Sequence, residues 1–351
     1  MAALGIVEGY YGTPWDAQTR RDTIAALVPY GYGFYIYAPK ADEFLRRRWR
    51  EPHPPADFEG LASLARHCRD TGVRFGVGLS PYEVYRSFDD EIRQALAAKL
   101  AWLDELGLDM LAILFDDMRG DLPGLAETQA GIVHWIAERT KTRHIVMCPT
   151  YYTDDPVLDR VFGARPAGYL EDLGRALDPK IDIFWTGPEV CSREFTPGHL
   201  ARVGEQLGRK PFLWDNYPVN DGPRMSGYLH LRAFTGRPAA IGDHVAAHAV
   251  NPALQPVLSR IPMLTLAKSY AKGDAYDYGR AFHTAADAVC GAELAQSLAR
   301  DLVLFQDVGL DKLDAASIEK LRARYARFDH PAAREVVAWL DGAYRFTGEM
   351  S

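Results

Sequence analysis

Cysteine is scarce in this sequence, and its spacing argues against the usual structural roles of the residue. Only four cysteines occur among 351 residues, widely and irregularly spaced and without a Cys-x-x-Cys pair. Disulfide frameworks and zinc sites are normally marked by several cysteines at short, regular spacings. The sequence therefore predicts neither a disulfide framework nor a zinc site, and it indicates no cofactor.

Long hydrophobic runs are also missing. No stretch of 18 consecutive apolar residues is present, so the sequence offers no candidate transmembrane helix. Residues 1–8 lack the basic start of a secretory signal, and their short apolar stretch ends at Glu8. We therefore expect a cytoplasmic protein without a membrane partner.

An excess of positive charge is a third absence. The chain has 40 Lys and Arg against 47 Asp and Glu, a formal net charge of -7. Binding to a polyanion usually requires a strong basic surface, and the one basic cluster, 46–50, is more typical of a solvated or substrate-rim segment. The sequence therefore predicts no nucleic-acid partner, and it leaves the oligomeric state open.

Eight short apolar segments recur along the first 250 residues, at 5–7, 33–37, 73–79, 110–115, 144–148, 181–185, 211–214 and 245–250. Amphipathic helical patterns that stop at glycines lie between them, such as 58–68 before Gly72 and 92–103 before Gly107. Successive segments end about 30 to 40 residues apart, which is the length of one βα repeat. Eight such repeats predict an α/β fold, specifically a (β/α)8 TIM barrel rather than an open doubly wound sheet.

The sequence after the barrel changes character and becomes entirely helical. We expect the catalytic barrel to occupy 1–273, with its eighth helix over 252–271. The seventh helix, expected over 226–235, shows the least periodicity. Residues 274–351 are predicted to form a C-terminal helical appendix, with candidate helices at 292–305, 315–326 and 331–344.

Two adjacent carboxylates follow the fourth apolar segment. The run from Met110 to Phe115 is unbroken and stops at Asp116 and Asp117. Buried parallel strands have this pattern, and catalytic groups of barrel enzymes lie where such strands end. Taken alone, the pair could equally cap a helix or form a turn. The residues after the other strands favour the catalytic interpretation.

Aromatic and polar side chains gather at these other strand ends, in the segments 8–15, 37–42, 148–152, 214–221 and 251–252. Aromatic rings stack on the C–H faces of a pyranose, and amide or charged groups bind its hydroxyls. The predicted mouth of the barrel therefore indicates a carbohydrate-binding site.

One competing pattern suggests a metal site. Asp243, His244 and His248 have the spacing of metal ligands on a helix. In the predicted eighth strand, however, positions four apart are separated by about 13 Å at ~3.3 Å per residue. We therefore predict that this segment binds no metal.

Six short motifs, in order between residue 5 and about residue 255, together resemble glycoside hydrolase family 84. This family contains O-GlcNAcases and related bacterial β-N-acetylglucosaminidases. The motifs are Val-Glu-Gly-Tyr-Tyr-Gly-Thr-Pro-Trp (7–15), Tyr-Ala-Pro-Lys (37–40), Leu-Phe-Asp-Asp (114–117), Cys-Pro-Thr-Tyr-Tyr (148–152), Phe-Trp-Thr-Gly-Pro-Glu (184–189) and Trp-Asp-Asn (214–216).

The resemblance implies a retaining hydrolase that removes terminal β-linked N-acetylglucosamine (GlcNAc) from a glycoside or glycoprotein. The nucleophile would be the substrate's own acetamide oxygen, which forms an oxazoline, so no protein nucleophile is needed. Asp116 would orient and polarise the acetamide N–H. Asp117 would protonate the leaving oxygen and later deprotonate water. Because neighbouring negative charges raise a carboxyl pKa, we expect one member of the pair to stay protonated near neutral pH.

The resemblance also assigns substrate-binding residues. Gly9, Lys40, Asp221 and Asn251 would hold the sugar hydroxyls, while the acetamide pocket and reaction centre would be lined by Tyr152, Trp214 and Asn216. Each side chain also has a structural interpretation, with the lysine as a salt-bridge partner, the tryptophan as a core residue and the asparagines as partners of loop backbone groups.

Two departures from the family pattern and two other functions stay open. Ala41 stands where an acidic residue is usual, and Tyr151 stands where a glutamate is common. The first alternative is a barrel hydrolase of the chitinase or hexosaminidase type, which an extended groove would favour. The second is a barrel that binds sugar without turnover.

Overall fold

Eight parallel strands close into a barrel in which each strand pairs with the next along the chain and the last pairs with the first. The structure is a computed structural model and describes residues 2–346. The strands are β1 Ala3–Glu8, β2 Tyr32–Tyr37, β3 Arg74–Leu79, β4 Met110–Leu114, β5 His144–Cys148, β6 Asp182–Trp185, β7 Phe212–Asp215 and β8 Ala247–Val250. All eight predicted strands and the (β/α)8 barrel are confirmed.

Helices follow the strands and cover the outside of the barrel. They are α1 Ala17–Leu27, α2 Pro55–Asp70, α3 Asp90–Asp104, α4 Leu125–Ala137, α5 Val157–Phe162, α6 Tyr169–Ala176, α7 Pro197–Leu207, α8 Gly222–Met225 and α9 Pro256–Lys272. Side-chain caps start several of them. The Asp89 carboxylate accepts the Ile92 N–H at 3.0 Å at the start of α3, and Thr196 caps α7 in the same way. These caps fix where the chain turns from a strand end into a helix.

The predicted seventh helix is wrong. Instead of a helix over 226–235, the chain forms only the short α8 and then continues without regular structure. Its backbone donors are satisfied by tertiary partners: the Leu231 and Arg232 N–H groups both donate to Gln306 Oε1 at 2.8 Å, and the Phe234 N–H donates to Thr265 Oγ1 at 2.9 Å. Because these bonds replace helical ones, the segment needs no periodicity of its own.

Up to residue 346, four α-helices follow the barrel, namely α10 Tyr278–Cys290, α11 Ala292–Val303, α12 Ala315–Tyr325 and α13 Pro331–Leu340. The three expected helices are confirmed, with a π-helical turn extending the first of them over Leu304–Val308, and α10 is an addition to the prediction. Glu335 of α13 accepts the Val257 and Leu258 N–H groups at 2.9 Å, which ties the appendix to the start of α9. The division at residue 273 stays a prediction.

The appendix also reaches the open mouth of the barrel. The Phe346 N–H donates to Ser226 Oγ at 3.2 Å, and the Phe346 ring meets the Tyr11 ring edge-on at 6.2 Å between centroids. Across residues 2–346, no helix is both long enough and apolar enough to cross a bilayer.

Candidate active site

The fourth strand delivers two carboxylates into one cavity. The ladder continues one residue past β4, where the Phe115 N–H donates to Cys148 O at 2.9 Å, and Asp116 and Asp117 follow directly. Asp117 has a φ of 56°, in the left-handed region that aspartate and asparagine enter more readily than most residues. This local bend aims both side chains at the same space, although they are neighbours in sequence.

Lys40 lies between the two carboxylates. It follows β2 by three residues, and its buried Nζ donates a hydrogen bond to Asp116 Oδ2 while lying 3.6 Å from Asp117 Oδ2. Burial alone would lower the pKa of Lys40, but the charges of Asp116 and Asp117 raise it above the usual range, so the amine stays charged. The predicted salt-bridge role is therefore present, and it places the ammonium group inside the candidate site.

Asp117 is held by two tyrosines as well as by this lysine. The Tyr11 hydroxyl donates to Asp117 Oδ2 at 2.7 Å, and the Tyr152 hydroxyl donates to Oδ1 at 3.3 Å. Burial acts to raise the pKa of Asp117, but Lys40 and the Tyr11 hydrogen bond outweigh it and hold the pKa below its usual range. The expectation of a raised pKa is wrong for Asp117, because a cation lies against the pair.

Among the carboxyl groups that line the cavity, Asp221, at the start of α8, has a raised pKa. Burial raises the pKa of Asp221 to about 6, while the Tyr11 N–H, which donates to Asp221 Oδ2 at 2.7 Å, opposes the shift and the charge of Asp117 adds to it. Asp221 therefore changes its protonation state within the ordinary working range of pH.

Asn216 is the centre of a second hydrogen-bonded group. Its Oδ1 accepts the Trp214 Nε1–H at 3.0 Å and the Asn251 Nδ2–H at 2.9 Å, and its own Nδ2 donates to Val190 O at 2.8 Å. The Asn251 Oδ1 in turn accepts the Gly9 N–H at 3.2 Å. Three strand ends, those of β1, β7 and β8, are joined by these bonds.

Gly9 is required by close packing. A Cβ atom at this position would lie 2.1 Å from the Trp214 ring, so no larger side chain fits without displacing the tryptophan. The glycine therefore lets the backbone after β1 approach the aromatic wall of the cavity.

The nine residues predicted from the sequence line one cavity of about 240 Å³. They are Gly9, Lys40, Asp116, Asp117, Tyr152, Trp214, Asn216, Asp221 and Asn251. Their individual roles stay predictions. Residues missing from the prediction also line it, namely Tyr11, Cys148, Thr186, Val190, Cys191, Val219 and Gly222 to Met225. Three of these, Tyr11, Cys148 and Thr186, lie within the quoted motifs, whereas the loop after β6 and helix α8 carried no sequence signal.

The two departures from the family pattern lie outside this cavity. Tyr151 is buried and donates its hydroxyl to Gly163 O at 2.7 Å, which makes it a structural tie between β5 and the end of α5. Ala41 lines a neighbouring cleft on the other side of Lys40. Neither residue therefore faces the sugar-sized space.

Of the Asp243, His244 and His248 pattern near β8, only His248 lies in the protein's interior. His248 is fully buried, and its ring nitrogens lie 3.0 Å from Asp215 Oδ2 and 2.9 Å from the Tyr270 hydroxyl. In the part of the chain that the structure describes, no three His, Cys, Asp or Glu side chains are grouped as metal ligands.

Comparison with known proteins agrees with this geometry. A family model described as beta-N-acetylglucosaminidase matches residues 4–305. The chain belongs to glycoside hydrolase family 84. The resemblance seen in the six motifs is confirmed, and the prediction of a glycoside hydrolase is confirmed at the level of the family.

Several proteins similar to this family 84 chain are named as O-GlcNAc hydrolases. The proteins named Protein O-GlcNAcase of Mus musculus and Rattus norvegicus are each 28% identical over 276 residues, covering 76% of this chain and 30% of those proteins. The chain thus matches less than a third of their length. A solved mutant of the Thermobaculum terrenum O-GlcNAc hydrolase is 30% identical, with a TM-score of 0.80 over 97% of this chain and 80% of that one.

Proposed function

We propose that this protein hydrolyses terminal β-linked GlcNAc, with O-GlcNAc on protein as the leading substrate. The observation that carries the proposal is the pair formed by the buried Asp116 and the half-buried Asp117, beside Lys40, at the edge of a cavity with the aromatic and amide groups that a sugar requires. Family membership and the names of the relatives support it.

The size of the cavity favours removal of a single sugar. Its volume of about 240 Å³ is below the ~300–1,000 Å³ typical of pockets for drug-sized ligands. An enzyme that cuts inside a polysaccharide needs a longer row of subsites. Wider clefts of about 800 and 820 Å³ adjoin the cavity, the first at Tyr11 and Lys40 and the second at Cys191 and Asn216, and they leave room for an aglycone.

The proposed mechanism uses the substrate's acetamide as the nucleophile. Asp116, fixed by Lys40, accepts a hydrogen bond from the acetamide N–H. The acetamide oxygen attacks the anomeric carbon and forms an oxazoline that keeps its proton on nitrogen, where the Asp116 carboxylate stabilises the positive charge. Asp117 gives its proton to the leaving oxygen as that C–O bond breaks. Asp117 then removes a proton from the water that opens the oxazoline, which restores the acetamide and retains the β-configuration.

Asp117 must be protonated when the glycoside binds. A sugar seated in the cavity displaces water from this carboxyl, and desolvation raises the pKa of an acid. Burial is already the largest single contribution to the pKa of Asp117, and it raises that pKa. Further dehydration therefore opposes the lowering of the pKa by Lys40 and favours the protonated form.

The direct test is hydrolysis of 4-nitrophenyl β-N-acetylglucosaminide between pH 5 and 8. We expect nitrophenol release with retention of configuration, whereas a sugar-binding barrel without turnover would release none. The absence of cleavage across this range would contradict the enzyme assignment. GlcNAc-peptides, chitooligosaccharides and hyaluronan fragments, assayed side by side, then identify the preferred aglycone, and a preference for the long oligosaccharides would support the chitinase-type alternative.

Substrate assistance has a test of its own. Replacing the N-acetyl group by N-trifluoroacetyl withdraws electrons from the amide oxygen, and we expect kcat to fall by at least about tenfold because that oxygen is the nucleophile. The N-monofluoroacetyl substrate is similar in size, and its kcat should lie between those of the N-acetyl and N-trifluoroacetyl substrates. An equal kcat for all three would point to a protein nucleophile instead.

A further inference from the structure

A buried ion pair lies directly behind the candidate acetamide pocket. Asp215, the last residue of β7, stands between Trp214 and Asn216, which both line the cavity. Successive strand side chains point to opposite sides, and Asp215 accordingly points away from the cavity and is fully buried. Its carboxylate meets the guanidinium of Arg237, whose side chain is only 4% exposed.

Arg237 uses all five of its N–H groups. Nε donates to Asp215 Oδ2 at 2.9 Å, and Nη2 donates to Asp215 Oδ1 and to Ser192 O, each at 2.7 Å. Nη1 donates to Thr235 O at 3.0 Å and to Arg193 O at 2.5 Å. A guanidinium has five such donors in a rigid plane, so one side chain fixes the end of β7 relative to the segment after β6.

That segment forms a wall of the cavity. Val190 and Cys191 line it, and Val190 O accepts the Asn216 Nδ2–H at 2.8 Å. Asn216 is thus held from one side by the backbone next to Asp215 and from the other by the loop that Arg237 anchors. A shift of this loop would move both the wall and the amide.

The same carboxylate also reaches the eighth strand. His248 Nε2 lies 3.0 Å from Asp215 Oδ2, and the Asn251 N–H donates to Asp215 O at 2.9 Å. The network therefore joins the loop after β6, the end of β7 and the end of β8 beneath the substrate-binding residues. None of its charged groups lines the cavity.

We propose that Arg237 is a positioning residue that sets the preference of the enzyme for an N-acetyl group over longer N-acyl chains, an inference that rests on the proposed function. Small side chains, Cys148, Thr186 and Val190, line the same cavity as Asn216 and suit a methyl group. A single methylene in such a pocket is worth about 10- to 200-fold in discrimination only while the walls stay fixed. Arg237 fixes the wall that carries Val190.

The experiment compares 4-nitrophenyl glucosaminides with N-acetyl, N-propionyl and N-butyryl groups in the wild-type protein and in Arg237→Lys. Lysine keeps a positive charge near Asp215 but lacks the planar fork that also reaches the Ser192 and Arg193 carbonyls. We expect the ratio of kcat/KM for N-acetyl over N-butyryl to fall at least about tenfold, with the N-acetyl substrate losing most.

A matched control is Arg324→Lys. Arg324 pairs with the buried Asp301 between α12 and α11, away from the cavity. This variant also replaces the guanidinium that meets a buried aspartate by an ammonium group, so it should lower the melting temperature while its acyl-chain ratio stays at the wild-type value. Should Arg237→Lys fail to fold, Asp215→Asn, which keeps the shape of the carboxylate, is measured against the same criterion.

An equal loss for all three substrates, with the ratio within twofold of wild type, overturns the inference and leaves Arg237 as a general stabilising residue. The proposed function fails separately: a folded wild-type protein that cleaves none of the three substrates overturns both. A wild-type protein that cleaves them, together with an unchanged ratio in the variant, overturns the positioning role alone.

Discussion

Asp117→Asn is expected to lower kcat/KM by about 10²- to 10⁴-fold for GlcNAc attached to an alcohol or a peptide hydroxyl, because general-acid catalysis contributes a factor of this size. For substrates whose leaving group needs no proton, kcat/KM should fall far less. Asparagine is the informative replacement, because it accepts the left-handed backbone of Asp117 and keeps an oxygen for the Tyr11 hydroxyl. The loss then reports the missing proton rather than a disturbed loop.

The measurement is a series of aryl and alkyl β-N-acetylglucosaminides that span a range of leaving-group pKa values. In the variant, the logarithm of kcat/KM should fall steeply with leaving-group pKa. The alkaline limb of the pH profile of kcat, which reports loss of the proton from Asp117 in the substrate complex, should disappear. The matched control is Asp121→Asn. Asp121 lies four residues after Asp117 and pairs with Arg119 at the surface, so this variant should retain wild-type rates. If the variant and the wild type showed the same slope of log kcat/KM against leaving-group pKa, Asp117 would not be the general acid.

Most of the barrel could be predicted because its signals are local. The segment from Met110 to Phe115 is apolar throughout because β4 is buried on both faces, and its length and abrupt end identify it without any knowledge of its neighbours. The segment 226–235 carries no such signal, since its partners Gln306 and Thr265 lie far along the chain. Structure that depends on distant partners does not appear in local periodicity.

The candidate site also has features that the sequence predicts and features that it does not. The barrel brings all strand ends to one face, so residues as distant in sequence as Gly9 and Asn251 could be placed in one cavity. The lowered pKa of Asp117 could not be predicted, because it depends on where the Nζ atom of Lys40 lies. The role of Arg237 could not be predicted either, because no sequence motif marks a positioning residue that lies behind a pocket.

Asp116→Asn is expected to lower kcat/KM by about 10²- to 10³-fold, the size of effect seen when one preorganised group that stabilises developing charge is removed. When each protein is measured at its own pH optimum, the loss should be equal for good and poor leaving groups, in contrast to Asp117→Asn. In the proposed mechanism, Asp116 acts on the nucleophile: its carboxylate accepts a hydrogen bond from the acetamide N–H as positive charge develops on that amide, and a neutral asparagine carries no charge to stabilise it.

Lys40 provides a second consequence of the same substitution. With Asp116 neutral, the Nζ atom has only Asp117, 3.6 Å away, as a charged partner within reach. The ammonium group should then favour the ionised form of Asp117 more strongly, so the alkaline limb of the pH profile should move to lower pH. Leaving-group and pH series on one protein sample measure both effects. Unequal losses across the leaving groups would place proton donation at Asp116 and reverse the division of labour between the two carboxylates.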